Sequence, residues 1–325
     1  MNKDMLMILL EPDTYVWLLA LAMTLLTLLA LFLWRSRRRW LRWTSLSVVV
    51  AGWFILFYGS FFGVSRLEVR HEVFVSEDLP KAFDGYRIVQ FSDAHVGSFN
   101  GWRHDLLRQA VDSINALQAD LIVFTGDLQN KQSSDIVPHQ QLLSSLKARD
   151  GIFSILGNHD YPEYLDLDSR QKQLQLFKTC ETEHRMGWNL LLNDHSVIRR
   201  GGDSLVIAGM ENDGEGRFPQ LGNINQTLFS INHDAFVVML EHDPTSWRRK
   251  ILPNSHCQLT LSGHTHGGQF SLLGFTPAMF TYRDYQGMCY VGKRAMNVST
   301  GLGGVVPIRF GVTPEIVVIT LKSSK

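Results

Sequence analysis

Residues 15–34 run without a single charge, mostly Leu, Ala and Thr. A helix of that length, at about 1.5 Å per residue, spans roughly 30 Å of hydrocarbon, which reads as a transmembrane helix. A second uncharged run, residues 44–64, is rich in Val, Phe, Ile and Trp and is read as a second span. Trp53, Tyr58 and the flanking Trp40 and Trp43 are expected as interfacial anchors. A cleaved signal peptide is the rival reading of the first run, but it would carry basic residues ahead of the apolar stretch. Here Arg35, Arg37, Arg38, Arg39 and Arg42 follow it. Arginines in a short connector favour the cytoplasm, so two spans put the large C-terminal part outside the cytoplasm, whereas one span would put it inside.

The zero formal net charge hides this division. Residues 1–64 carry six basic side chains, including Lys3, against Asp4, Glu11 and Asp13, a surplus of three that the rest of the chain offsets. A hydrophobic content of 45% with no basic excess argues against a disordered tail protein and against a nucleic-acid binder working by bulk electrostatics, so no nucleic-acid partner is expected. Cys180, Cys257 and Cys289 are too few for a disulfide scaffold, and the fold must rest on a hydrophobic core.

Beyond a linker with a first strand at 65–85, residues 86–325 change to short β-branched runs separated by amphipathic stretches. Residues 86–92, 120–125 and 151–156 are predicted strands, and 103–118 and 136–148 predicted helices, a βαβαβ order that implies a largely parallel sheet with ligands beyond its carboxyl ends. Further strands are expected at 188–192, 205–210, 235–240, 258–261 and 315–321, with a short helix at 245–250.

Five of these runs end on metal-ligand residue types. They are Asp93 and His95, then Gly126-Asp127, then Gly157-Asn158-His159-Asp160, then His242, then Gly263-His264-Thr265-His266. Each alone has a plain structural reading: a helix cap, a turn, or a residue tolerant of left-handed backbone. Carboxylate, imidazole and amide oxygen in one set suit Mn, Fe or Zn, and the absence of cysteine argues against a structural zinc site.

In this order the motifs resemble the calcineurin-like metallophosphoesterase family, with its D-x-H, G-D, G-N-H-(D/E), H and G-H-x-H pattern. The segments 91–95, 240–244, 263–269, 307–309 and 314–316 are similar to the membrane-associated bacterial branch that includes YkuE and YaeI. The resemblance covers roughly residues 66–321 and implies an α/β sandwich, a βαβαβ core in two packed sheets flanked by helices, preceded here by the two transmembrane helices. It further implies two divalent ions, one on Asp93, His95 and His266, the other on Asn158, His242 and His264, with Asp127 bridging. His159 would be the catalytic histidine that helps the leaving group depart after attack by a hydroxide generated between the ions. The position that is often acidic in the second sphere is Asn130 here.

The expected function is therefore a membrane-anchored, metal-dependent phosphoesterase acting on a phosphorylated small molecule or a lipid-linked envelope substrate. Its expected address is the bacterial inner membrane, multi-pass, with the catalytic domain periplasmic. A UDP-2,3-diacylglucosamine-type pyrophosphohydrolase of lipid A synthesis is an alternative that needs a cytoplasmic site. A non-catalytic, metal-stabilised membrane binding module is another, since fold alone does not guarantee activity. No residue is singled out for substrate binding. Arg217 is read as a solvated loop arginine, and Gly301-Leu302-Gly303-Gly304 as a turn near the metal rim.

Overall fold

The structure is a computed structural model describing residues 11–324, so Lys3, Asp4 and the start of the expected 1–64 anchor lie outside it. Two antiparallel helices come first, α1 (Pro12–Leu33) and α2 (Arg39–Phe57), the latter continued by a π-helical turn, Tyr58–Gly63. Both are long and apolar enough to cross a membrane. They are not core helices, because Trp17, Leu25, Leu31, Val50 and Phe54 all face outward. Trp53 Nε1 donates to Thr27 Oγ1 at 3.0 Å, and Trp34 and Trp43 meet edge-on at the arginine-rich end.

The strands follow as β1 (Glu68–Ser76), β2 (Arg87–Phe91), β3 (Leu121–Phe124), β4 (Ile152–Ser154), β5 (Asn189–Leu190), β6 (Asp194–Arg200), β7 (Asp203–Gly209), β8 (Val237–Leu240), β9 (Leu259–Ser262), β10 (Gly287–Val291), β11 (Arg294–Val298) and β12 (Glu315–Ser323). They form two six-stranded sheets, β1-β12-β2-β3-β4-β5 and β10-β11-β9-β8-β7-β6. The middle of each is parallel, as β2-β3-β4-β5 and as β11-β9-β8-β7, so successive ligand-bearing loops leave from the same edge. Seven of the ten strand pairings are parallel, the largely parallel arrangement expected, and the antiparallel pairings of β12 with β2, β10 with β11 and β6 with β7 make both sheets mixed.

Period-two burial explains the layering. Ile88, Val123, Ile155, Ile207, Val238, Leu240, Leu261 and Ile319 fill the space between the sheets. The alternate residues Val89, Phe91, Ile122 and Phe124 pack outward on Leu107, Ala110, Val111 and Ile114 of α3 (His104–Ala116). Val206, Ala208 and Met239 pack outward on Trp247 and Ile251. The predicted helix at 136–148 does not form. Pro138 sits in a 3₁₀ turn, Val137–His139, and only α4 (Gln140–Leu143) is helical. The short helix expected at 245–250 is present, with Thr245 and Ser246 in an α-helical turn that runs into a π-helical turn, Trp247–Ile251. Unforeseen is α5 (Ser169–Arg185), which starts from a reciprocal cap between Asp168 and Gln171 and buries only Thr179 and Glu183.

The helical pair is fastened to the sandwich at both of its open ends. Asp13 pairs with Arg103 at 2.7 Å, Glu11 with Lys131 at 2.6 Å, and Gly59 O accepts from Arg309 N at 3.1 Å. Gly63 packs directly on the Arg309 carbonyl, leaving no room for a β-carbon. Gly63→Val should lower the stability of the full chain in detergent by about 1–3 kcal/mol through this overpacking. Thermal unfolding checks it, with the outward-facing Val50→Leu as a control expected to stay within about 0.5 kcal/mol.

Candidate metal centre

The loops after β2, β3, β4, β8 and β9 converge at the seam of the two sheets. Backbone bonds knit them together: Asp93 N to Gly126 O at 2.9 Å, His95 N to Asp127 O at 3.0 Å, and Gly263 N to His242 O at 3.0 Å. Across the seam, Asp93 accepts from His264 N at 3.0 Å, and His242 Nδ1 donates to Thr125 O at 2.7 Å. Asp93, His95, Asp127, His264 and His266 all hold positive φ, between 42° and 72°. Such backbone is costly for non-glycine residues and persists only where the surroundings enforce it. Two of the motif glycines are steric necessities, since a β-carbon on Gly157 would strike Asp127 Oδ1 and one on Gly263 would strike Asp93 Oδ2.

All eight residues singled out in the sequence come together here. Three groupings have ligand atoms within 4.8 Å of one another: Asp93, His95 and His266; Asp127, His242 and His264; and His95, Asp127 and His159. Asn158 joins them through Oδ1, 2.7 Å from His264 Nδ1. Asp93, His95, Asp127, Asn158 and His242 are fully buried, while His159 is half-buried at the rim.

Hydrogen bonding orients the lone pairs. Backbone carbonyls of Gln129, Thr125 and Asn130 take the Nδ1 protons of His95, His242 and His159, at 3.2, 2.7 and 2.7 Å. Their Nε2 lone pairs then face inward. His95 Nε2 lies 3.2 Å from His266 Nε2 and 3.5 Å from Asp127 Oδ2, and His242 Nε2 lies 3.2 Å from that same oxygen. Burial, and then the neighbouring His159, push His95 down to about 3, and burial holds His264 down to about 4 and His266 well below its ordinary value. Burial works against the charged forms of Asp127 and His242 as well. Mutual attraction prevails: His242 rises to about 10, and Asp127, facing three histidines, stays well below the usual carboxylate range. The neutral imidazoles of His95, His264 and His266 and the buried carboxylates are aimed at common points, His266 Nδ1 has no hydrogen-bond partner, and the charge on His242 answers Asp127 as a cation would, so the set fits divalent cations.

The sequence motifs include Asp160 and Arg309 without indicating what they hold, and Tyr164 and Tyr282 lie outside every motif. Asp160 is wholly buried and accepts four backbone N–H groups, from Asp127 and Gly157 on Oδ2 (2.8 and 2.9 Å) and from Leu128 and Gln129 on Oδ1 (2.9 and 3.2 Å). Tyr164 accepts from Asn158 Nδ2 at 2.6 Å, turning the amide oxygen toward His264, and stacks on His159 at 4.4 Å. Tyr282 Oη lies 2.9 Å from His264 Nε2. Asn130 serves His159 through its backbone carbonyl, and its side chain instead donates to Ser98 Oγ, so the residue type at this position reaches His159 only indirectly. The 301–304 turn does lie at the rim, with Leu302 N and Gly303 N donating to Ser92 O and Asp93 O. Beneath it, fully buried Arg309 donates to the carbonyls of Thr300, Gly301, Gly303 and Thr313.

The sequence model of calcineurin-like phosphoesterases matches residues 86–268, more than half of the chain. The chain belongs to the calcineurin-like phosphoesterases. Relatives of this phosphoesterase include the uncharacterized metallophosphoesterase YkuE of Bacillus subtilis, 31% identical over 82% of this chain and 90% of that one. An uncharacterized metallophosphoesterase of Aquifex aeolicus is 27% identical over 79% of this chain and 92% of that one. A zebrafish (Danio rerio) protein described as a transmembrane protein with a metallophosphoesterase domain is 30% identical over 76% of this chain, which spans 56% of its length. The family hydrolyses phosphoesters and generally uses divalent metals, and the candidate groups lie where such ions would be held.

Asp160→Ala should destabilise the metal-stripped phosphoesterase by about 3 kcal/mol, because it strands four buried backbone donors that now share one carboxyl group. Urea unfolding in excess chelator measures this without any contribution from metal affinity.

Proposed function

We propose that this phosphoesterase is a membrane-anchored hydrolase with a two-cation centre. Asp93, His95 and His266 would hold one ion, Asn158, His242 and His264 the other, and Asp127 would be shared. The observation that carries the reading is Asp127 Oδ2, within 3.5 Å of two Nε2 atoms whose rings are fixed by backbone carbonyls. When bound, two divalent cations, Mn, Fe or Zn, would supply Lewis acidity toward the phosphoryl oxygens and acidify a water enough to attack at neutral pH.

The chain's own residues supply placement and a proton. Spacing alone would admit His159 as a ligand with His95 and Asp127, yet its exposure at the rim and its Nδ1–H bond to Asn130 suit a residue that presents Nε2 to the departing oxygen. Stacking on Tyr164 keeps that ring from turning away. Arg217 is exposed and lies over Phe218, whose ring meets His264 edge-on at 4.8 Å, so its guanidinium is within the neighbourhood of an incoming phosphate.

The anchor reading rests on α1 and α2. Their charged connector lies at the end remote from the sandwich, while Glu11, Asp13 and Gly59 meet the sandwich at the other. With the arginines cytoplasmic, the centre would face the periplasm, which disfavours a lipid A precursor pyrophosphohydrolase, since that substrate is cytoplasmic. The substrate would be an envelope or lipid-linked phosphate, because tethering raises encounter with molecules confined to the bilayer. A purely binding role would be favoured by a missing ligand or leaving-group histidine, and neither position is vacant.

With Mn or Zn the full chain in detergent should hydrolyse an aryl phosphoester, and chelator should abolish turnover. Asp127→Ala should lose bound metal and activity together. His159→Ala should keep its metal content and lose about 10²- to 10⁴-fold in kcat. Metal analysis beside steady-state kinetics decides this, and inactivity of the metal-loaded parent chain on any phosphoester would sink the proposal. Alkaline phosphatase fused after residue 325 should be active in cells; a silent fusion would place the domain in the cytoplasm.

A further inference from the structure

The segment from Gly267 to Tyr282 contains no charged residue, and it starts and ends at the candidate centre. Gly267 follows His266 and is tied by its carbonyl to Thr276 Oγ1 at 2.6 Å, and Tyr282 Oη lies 2.9 Å from His264 Nε2. Between them Leu272, Leu273, Phe275, Met279 and Phe280 project from the surface, with Leu273 91% and Phe280 84% exposed. The tip is a two-residue turn between the bridged residues Leu272 and Phe275, with Leu273 at φ 53° and Gly274 at φ 84°. Such turns in water favour Asn-Gly or Gly, so a leucine there meets neither the backbone preference nor a packing partner within the described residues.

The neighbourhood supplies the missing partner. Phe270 pairs with Phe310 as an isolated bridge and stacks on it at 5.5 Å. Phe310 in turn packs edge-on against Phe54 of α2 at 6.3 Å and against Tyr58 at 5.6 Å. A hydrocarbon core about 30 Å thick takes up about 20 helical residues, so counted from Arg42 it reaches to about residue 62. Phe54 and Tyr58 therefore stand at bilayer depth, and so does the base of the loop that touches them through Phe310.

Resting on the anchored phosphoesterase reading, we infer that the loop 270–280 is seated in the bilayer surface beside α2, its apolar side chains among the lipids, and that the centre it borders takes a phosphate carried on a membrane lipid. The lipid's chains stay in the leaflet while the loop holds the rim of the centre, at His264 and His266, down to the headgroup plane. An exposed apolar patch on a soluble domain would be an aggregation liability; at this depth it is solvated by lipid.

The test uses the full chain in phosphatidylcholine–phosphatidylglycerol nanodiscs, with Cys180→Ser, Cys257→Ala and Cys289→Ser, and a nitroxide at Leu273→Cys or, separately, at Val50→Cys. Both labels should relax with oxygen in preference to a water-soluble nickel chelate. A Leu273 label open to nickel while the Val50 label is not would overturn the loop inference and leave the anchor standing; both labels open to nickel would overturn both. For the substrate class, phosphatidic acid in the same disc should be hydrolysed or should inhibit turnover of a soluble aryl phosphoester at least twofold. Neither effect, in a preparation that turns over the aryl ester, would overturn the lipid assignment while leaving the phosphoesterase intact.

Discussion

A buried carboxylate has to be matched by positive charge or by donors, and Asp127 is given too few donors. One of its oxygens accepts the His159 backbone N–H at 2.7 Å, while the other faces His95 and His242. Those imidazoles have no freedom to answer with Nε2–H as neutral rings, because carbonyls on the protein side hold their protons on Nδ1. A proton on His242 is one answer and a divalent cation is the other, and the surrounding neutral histidines favour the cation. Much of the sandwich serves to hold this arrangement. Parallel pairing brings successive loops to one edge, Gln90 and Asn297 make a buried polar link between the sheets, and Asp160 collects the loop after β3 and the loop after β4 on one carboxylate.

The two apolar N-terminal helices and the centre share a support. Arg309 takes up Gly59 O with its backbone N–H, and its guanidinium holds the carbonyls of Thr300, Gly301 and Gly303, whose turn lies against Asp93. Burial lowers this guanidinium to about 10 against the opposing pull of Asp93 and Glu315, so it remains a cation at neutral pH. Arg309 therefore joins the end of α2, through its backbone, to the turn that lies against Asp93, through its guanidinium. That link gives the apolar helices a structural part in the centre.

The reach of sequence reasoning follows from the range of each signal. The candidate ligand residues were legible because each lies just past a short β-branched run, and Asp127, Asn158 and His264 also follow a glycine, all of which are local signals. The helix at 136–148 was misread because apolar spacing suggested amphipathicity where Pro138 interrupts it. The real helix, α5, went unread because it buries Thr179 and Glu183 and shows no apolar stripe. Asp160 closes the G-N-H-(D/E) motif and Arg309 lies in the 307–309 segment, yet nothing local says what either holds, and Tyr164 and Tyr282 carry no local signal at all. Their importance comes from partners brought close by the fold, as with Arg309 and Gly59, or Tyr282 and His264. The three thiols, which the sequence could only leave open, are unpaired among the described residues.

The central claim is that Asp127 is shared by two cations at the seam of the sheets. Anomalous diffraction from crystals of the manganese-loaded full chain tests it most directly. Two anomalous peaks are expected, one within bonding distance of Asp93, His95 and His266, the other of Asn158, His242 and His264, with Asp127 reaching both and His159 reaching neither. A single peak, or a peak coordinated by His159 Nε2, would contradict the account.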